Sequence, residues 1–377
     1  MKLNSKVFYA IVIALSVVFL FVGNRIASGD DYTQDDFHDI SYYSGVVTEI
    51  VDRIEEDHPG LWFTSTYIHF NVRITRGERR GDVVAAQQHL SDMFGVDERE
   101  IAVGNRVILS YDEFGSRYFF VNFVRINHIV VLGAVFLAMV LLFGRKKGFS
   151  AIVSLGLICM AVFMVFIPAI LSGRNIYIVT IIICVYAIVS TLLIVIGPTK
   201  KALSAMLGCL GGVLLAGLLM AAMDAMLRLT GNVSHEAAAL VNISPGVTIN
   251  LRAIIFAGVI LGAVGAIMDV AMSIASSLWE VQEAGGVSDF AGLIKSGLNI
   301  GRDILGTMLN TLILAYIGSS LSLILLITAH TTSYMELFNM EMIIVELLRA
   351  LVGSFGMLLT IPLTAGICGW LYSALTG

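Results

Sequence analysis

Apolar residues along the chain gather into eight long runs, at about 6–22, 127–143, 149–172, 175–196, 202–226, 251–278, 301–328 and 342–373. Roughly 20 apolar residues form a helix long enough to cross the hydrocarbon of a bilayer. The pattern therefore predicts a polytopic α-helical membrane protein with about eight transmembrane helices. It divides the chain into an N-terminal anchor helix (1–29), an inserted β-rich domain (30–125) and a seven-helix membrane domain (126–377). Ala27-Ser28-Gly29 after the first run satisfies the small-residue rule of a signal-peptidase site. The apolar core before it, about 16 residues, is long for a signal peptide, which favours a retained anchor over a cleaved one. Pro168 and Pro362 fall inside two runs and predict kinks or breaks.

The insert has a different period. Ile68, Phe70, Val72 and Ile74 alternate with His69, Asn71, Arg73 and Thr75, as in a strand with one buried face. Gly45 to Ile54 and Arg106 to Tyr111 read as further strands, Asp112 to Arg117 as a hairpin loop, and Tyr118 to Arg125 as its second arm. Val83 to Phe94 reads as helix. Four or five short strands with one helix predict a small β-barrel-like domain of the oligosaccharide- or oligonucleotide-binding (OB-like) shape.

Composition agrees with the runs: 57% of residues are hydrophobic and 14% charged, against about 25% charged in soluble domains. That excludes a purely cytosolic enzyme. The net charge of −5 conceals an asymmetry, because Asp30 to Arg125 holds 18 Asp and Glu against 9 Arg and no Lys. An acidic soluble part argues against nucleic acid as a partner. All seven lysines, at positions 2, 6, 146, 147, 200, 201 and 295, fall on one side if eight helices alternate. By the positive-inside rule that side is the cytoplasm, which puts both termini inside and residues 30–125 outside. Cys159, Cys184, Cys209 and Cys368 lie in separate apolar runs, outside any CxxC pattern, and read as small core residues.

Ionisable residues inside a bilayer are candidates for function because they are costly there. Asp269, Arg302, Asp303, Glu346 and Arg349 stand out. In the sixth run Gly258, Gly262, Gly265, Asp269, Ser273 and Ser276 recur every three or four residues and share a helix face. Asp303, Thr307 and Asn310 do so in the seventh, with Gly306 beside them, and Glu346, Arg349, Gly353, Gly356 and Thr360 in the eighth. One reading is close packing, with Gly258, Gly262, Gly265, Gly353 and Gly356 letting helices approach and polar groups gluing them. The other is a transport pathway lined by Asp269, Ser273, Arg302, Asp303, Thr307, Asn310, Glu346 and Arg349, in which Arg302 is the counter-charge of Asp269. Glu346 and Arg349, three apart, also suit each other. The acidic run Asp30, Asp31, Asp35, Asp36, His38 and Asp39 and the group Glu55, Glu56, Asp57 and His58 read as solvated charge rather than a cation site. Asp224 and His330 are interfacial candidates, and Gly208 and Gly212 form a GxxxG pair. Nucleotide-binding, zinc-protease and nucleophile-elbow motifs are absent from the sequence, so no cofactor or metal is expected.

The run Gly262 to Ser277 around Asp269, the run Gly301 to Gly318 around Asn310, and Glu346-Leu-Leu-Arg349 with Gly353, Gly356 and Thr360-Ile-Pro362-Leu-Thr364 resemble the YibE/F-like multitransmembrane proteins of bacteria. Leu305 and Leu309 depart from the small or flexible residues expected there. The resemblance implies a bacterial inner-membrane protein with an extracytoplasmic β-domain, partnered by a second, shorter family member or by itself. It implies no substrate. The expectation is a secondary permease or exporter, not an enzyme, with its polar pathway between the sixth, seventh and eighth helices. The alternatives are a non-transporting envelope scaffold that recruits partners, and a membrane enzyme acting on a lipid-linked substrate.

Overall fold

The computed structural model describes residues 5–27, 41–57, 64–77, 79–91, 99–112, 117–240, 248–286, 289–330 and 333–373. The acidic run from Asp30 to Asp39, His58 and the small residues after Ala27 lie outside them. Two compact units emerge, one of Thr33–Met139 and one of Met1–Tyr32 with Val140–Gly377.

In the first unit, β1 (Ser41–Asp57), β2 (Thr64–Ile74), β3 (Val83–Ser91), β4 (Arg106–Asp112) and β5 (Arg117–Phe123) close a barrel in the order β1-β2-β3-β5-β4. Only the β3–β5 pair is parallel, which is the connectivity of the OB-like shape. Strand β1 closes the barrel by pairing with β4 through Ser41 to Val46 and with β2 through Gly45 to Asp57. Two register shifts coil it. At the handover Gly45 lies so near β2 that a Cβ would sit 2.8 Å from the Arg73 carbonyl. Ile68, Phe70 and Val72 pack into the core with Val47, Val107 and Leu109, and Ile74 is buried as well, as their alternation predicts.

The segment expected to be helical is strand instead: β3 pairs with β2 from Val83 to Ser91. Its inward positions are Val84, Ala86, Gln88 and Leu90. A polar Gln88 among them and the helix-favouring Ala85-Ala86-Gln87 hid the alternation. Buried Gln88 is satisfied, its Nε2 donating to the Arg99 carbonyl (3.1 Å) and its Oε1 accepting from the Ile101 N–H (3.0 Å).

The second unit is helical. Its elements are α1 (Ser5–Ala27), α2 (Ile126–Ala161, beginning in the first unit), a π turn (Val162–Phe166) and α3 (Ile167–Leu171). Then come α4 (Ile176–Val195), α5 (Lys200–Leu227), α6 (His235–Leu240), α7 (Leu251–Glu283), α8 (Phe290–Ser319), α9 (Leu321–His330), α10 (Tyr334–Leu337) and α11 (Glu341–Ser373). Asn175, Thr199, Asn250 and Asp289 cap α4, α5, α7 and α8 with their side-chain oxygens.

Seven described helices are long and apolar enough to cross a membrane when Ile126–Leu171, 46 residues, is taken as one. That stretch is broken at Arg145 (φ 48, ψ −124). Gly148 lies so close to the Val140 carbonyl that a Cβ would overlap it, whereas a straight helix would set these residues ~12 Å apart. The chain turns back there. Pro168 follows the π turn, whereas Pro362 sits within continuous α11. The seventh apolar run, expected as one helix over 301–328, differs: α8 begins at Phe290, stops at Ser319 and gives way to α9.

At the centre, α7 buries Val259, Ile260, Ala263, Ile267, Ala271, Ile274 and Leu278 among α5, α8 and α11. Gly208 and Gly212 of α5 lie against Thr364 and Thr360 of α11, where a methyl group would overlap the threonine hydroxyls. The sequence motif is therefore a packing seam. Cys184, Cys209 and Cys368 are buried free thiols, and Cys159 is exposed.

Candidate polar site between α7, α8 and α11

Glu346 and Arg349 form one helical turn of α11 and pair with each other, Arg349 Nη1 donating to Glu346 Oε1 at 2.8 Å and to Oε2 at 3.1 Å. Both side chains are mostly covered, 21% and 30% exposed. Ser320, at the end of α8, donates its hydroxyl to Glu346 Oε2. Ser320 alone separates α8 from α9, and its N–H still donates to the Tyr316 carbonyl at 3.1 Å while its own carbonyl accepts from the Ile324 N–H at 3.0 Å. Gly258 of α7 leaves room for the guanidinium of Arg349, 4.0 Å from where its Cβ would be.

One turn before Ser320, Tyr316 reaches across to Gly262 of α7. Its hydroxyl would lie 2.9 Å from a Cβ there and 3.8 Å from one on Gly353 of α11. The Tyr316 hydroxyl is buried and has no hydrogen-bond partner among the described residues. Three helices thus meet at a node of an ion pair, a serine hydroxyl and an unsatisfied phenol. The sequence does not mark Ser320 and Tyr316, because neither lies on the face shared by Asp303, Thr307 and Asn310; the spacing of Tyr316 from Leu309, Leu312 and Ser320 is the signal that was available.

From this node a stripe runs down α7. Gly258, Gly262, Gly265 and Asp269 are exposed while their neighbours Val259, Ala263, Val264, Ile267 and Met268 are buried. Ser273 is half-buried at its far end. Gly265 has open space where a Cβ would be, so it is not the packing glycine its position suggested. Gly353 and Gly356 do pack, a Cβ at Gly356 falling 2.7 Å from Ile267 and one at Gly353 falling 3.3 Å from Leu312.

The α8 stripe goes elsewhere. Gly297 and Gly301 press on Ala365 and Ile361 of α11, and Leu305, Leu309, Leu312 and Tyr316 continue that inward side. Arg302, Asp303, Gly306, Thr307 and Asn310 are all exposed, and Asp303, Thr307 and Asn310 share the face opposite that inward side. The expectation of three facing polar seams is corrected: α7 and α11 share one, and α8 offers it only Tyr316 and Ser320. Thr307 and Thr311 return their hydroxyls to the Ile304 and Thr307 carbonyls of their own helix.

Nor is Arg302 the counter-charge of Asp269. Its guanidinium donates to Asn299 (3.3 Å), and none of the ion pairs among the described residues includes Asp269, Arg302 or Asp303. The contacts Gly262–Tyr316 and Leu278–Gly297 set an antiparallel register in which Asp269 is level with Thr307. Arg302 lies ~8 Å further along the axis. No group of three or more described His, Cys, Asp or Glu residues could hold a metal ion. Asp224, near the end of α5, is half-buried, and its Oδ1 has no hydrogen-bond partner among the described residues. A further residue the sequence did not advertise is Glu341, whose carboxylate accepts from the Thr230 and Gly231 N–H groups at 2.8 and 2.7 Å, latching the end of α5 to the start of α11.

Long apolar helices around buried polar groups define the class: an integral membrane protein. The model of the YibE/F-like protein family matches residues 132–374, which contain every element of the node. The chain belongs to that family. No curated protein and no solved structure matches it.

Proposed function

We propose that this protein is a secondary permease or exporter, and that its solute path follows the open α7 stripe from Asp269 past Gly265 and Gly262 to the Glu346–Arg349–Ser320–Tyr316 node. The observation that carries the reading is the exposure of Gly258, Gly262, Gly265 and Asp269 on an otherwise buried helix. A helix needs small residues on a face that is to stay open, and an ionisable group there binds or releases a proton or cation as the solute passes. Read as two spans on either side of the turn at Arg145, Ile126–Leu171 would bring the candidate membrane helices among the described residues to eight. Together with the lysine distribution this supports a bacterial plasma-membrane topology with cytoplasmic termini and an extracytoplasmic barrel.

The test is flux in proteoliposomes that enclose a pH-sensitive dye and are challenged with a panel of inorganic ions and small organic solutes. Asp269→Asn is expected to abolish the flux of wild-type protein, while Asp303→Asn, turned away from the stripe, retains at least about half of it. Flux indistinguishable from empty liposomes across the panel, or equal loss in both variants, sinks the reading.

A second reading rests on α8. Its outward Asp303, Thr307 and Asn310 are polar groups on a membrane helix that the other described residues leave exposed, and such groups glue helices together in lipid. On this reading the protein recruits a second, shorter family member or another copy of itself through α8. Cysteines at Thr307 or Asn310 would then crosslink to the partner in membranes, and one at Leu325 would not.

A further inference from the structure

Where β5 leads into α2, a cleft of about 550 Å³ opens in the first unit, lined by Arg99, Arg106, Arg125, His128, Asn105 and Asn127. None of the described residues lining it is acidic. That is unexpected in a segment where acids outnumber arginines two to one, and three of its nine arginines are gathered here. Among the described residues Arg53 takes both Glu55 and Glu100, and no ion pair engages Arg99, Arg106 or Arg125.

The backbone that carries these side chains is firmly held. Buried Gln88 grips the Arg99 carbonyl. A turn through Gly104 (φ +89) is closed by Asn105 Oδ1 accepting from the Ala102 N–H at 2.9 Å. The Arg106 carbonyl accepts from the Val124 N–H at 2.9 Å, and the Arg125 guanidinium lies over the Phe123 ring, 6.0 Å from its centroid. The cleft also includes the first turn of α2, whose dipole adds partial positive charge.

Immediately beyond the cleft the surface changes character. Ile129, Val130, Val131 and Leu132 are each 60–65% exposed on α2, as residues facing lipid would be. A cationic cleft that opens onto a lipid-facing helix matches an anion with an apolar tail. We propose that it binds the phosphate of an anionic phospholipid headgroup at the bilayer surface, with the acyl chains lying along the first turns of α2. Guanidinium groups suit the phosphate because they donate in pairs to its oxygens. The proposal rests on the membrane class of the protein and is independent of what it transports.

Full-length protein in mixed phosphatidylglycerol–phosphatidylcholine nanodiscs, extracted and analysed by native mass spectrometry, tests it. Wild-type protein is expected to retain phosphatidylglycerol over phosphatidylcholine by about fivefold or more, the effect of even one basic group near an anionic surface. Arg106→Gln with Arg125→Gln should bring the ratio near one, and Arg106→Lys with Arg125→Lys should keep most of it, with far-UV circular dichroism showing both pairs folded. Equal retention of the two lipids by wild-type protein overturns the proposal, as does a preference unchanged in the double Gln variant. Loss of the preference on adding millimolar inorganic phosphate would assign the cleft to a free anion instead, and also overturns it.

Discussion

Helices α7 and α8 carry small and polar residues at the same three-to-four spacing, yet one shows its stripe to the node and the other shows it to the outside. On α7 the apolar majority is buried on several sides by α5, α8 and α11, so the stripe is the gap left between neighbours. On α8 the tightest contacts are Gly297 against Ala365 and Gly301 against Ile361. These dictate the rotation of the helix, and Asp303, Thr307 and Asn310 follow from it to the far side. A period says which residues share a face. Which way the face looks is decided by the closest backbone approach.

The largest effect is expected where the two helices meet the ion pair. Arg349→Ala strands the largely covered Glu346 carboxylate and should destabilise the protein toward the lower end of the ~3–5 kcal/mol seen when one partner of a buried pair is removed. Thermal unfolding in detergent measures it, and adding Glu346→Gln should recover part of the loss. No recovery would mean that Arg349 acts through its other contacts.

A smaller effect separates the two sides of α8. At Gly297 a Cβ would meet the rigid Ala365 Cβ at 2.7 Å, whereas at Gly306 nothing lies within 4 Å. Gly297→Ala is therefore expected to cost about 1–3 kcal/mol, and Gly306→Ala to be neutral or to gain up to ~1 kcal/mol of helix propensity. Equal losses at both positions would mean that the outward side of α8 is covered too, and would break the contrast between the helices.

Tyr316→Phe gives the mildest change. Removing a buried hydroxyl that has no partner among the described residues should leave stability unchanged or raise it by about 1 kcal/mol. A loss of more than ~1 kcal/mol in the same unfolding assay would show that water or a protein group satisfies that hydroxyl in solution. If flux falls while stability holds, Tyr316 touches the solute.

The membrane class, the separate β domain and the barrel's Ile68–Ile74 strand were legible in the chain, because burial in lipid and in a barrel core each impose a simple period on apolar residues. The self-pairing of Glu346 and Arg349 was legible as well, being local to one turn. The strand nature of Val83–Ser91 was not, since a satisfied inward Gln88 replaces the apolar residue that would have marked it. The bond that ties Ser320 to Glu346 was hidden too: the carboxylate is 26 residues away, and local spacing carries no trace of that.

By itself the sequence determined which residues are polar inside the membrane segments and how they are grouped along each helix, since both depend on residue type and helical pitch alone. Only the tertiary structure decided that Asp269 faces an open stripe, that Asp303, Thr307 and Asn310 turn outward, and that Ser320 and Tyr316 complete the node. Those outcomes depend on the rotation and register of one helix against another. A few close contacts at Gly262, Gly297, Gly301 and Gly356 set both, and each depends on a partner far away in the chain.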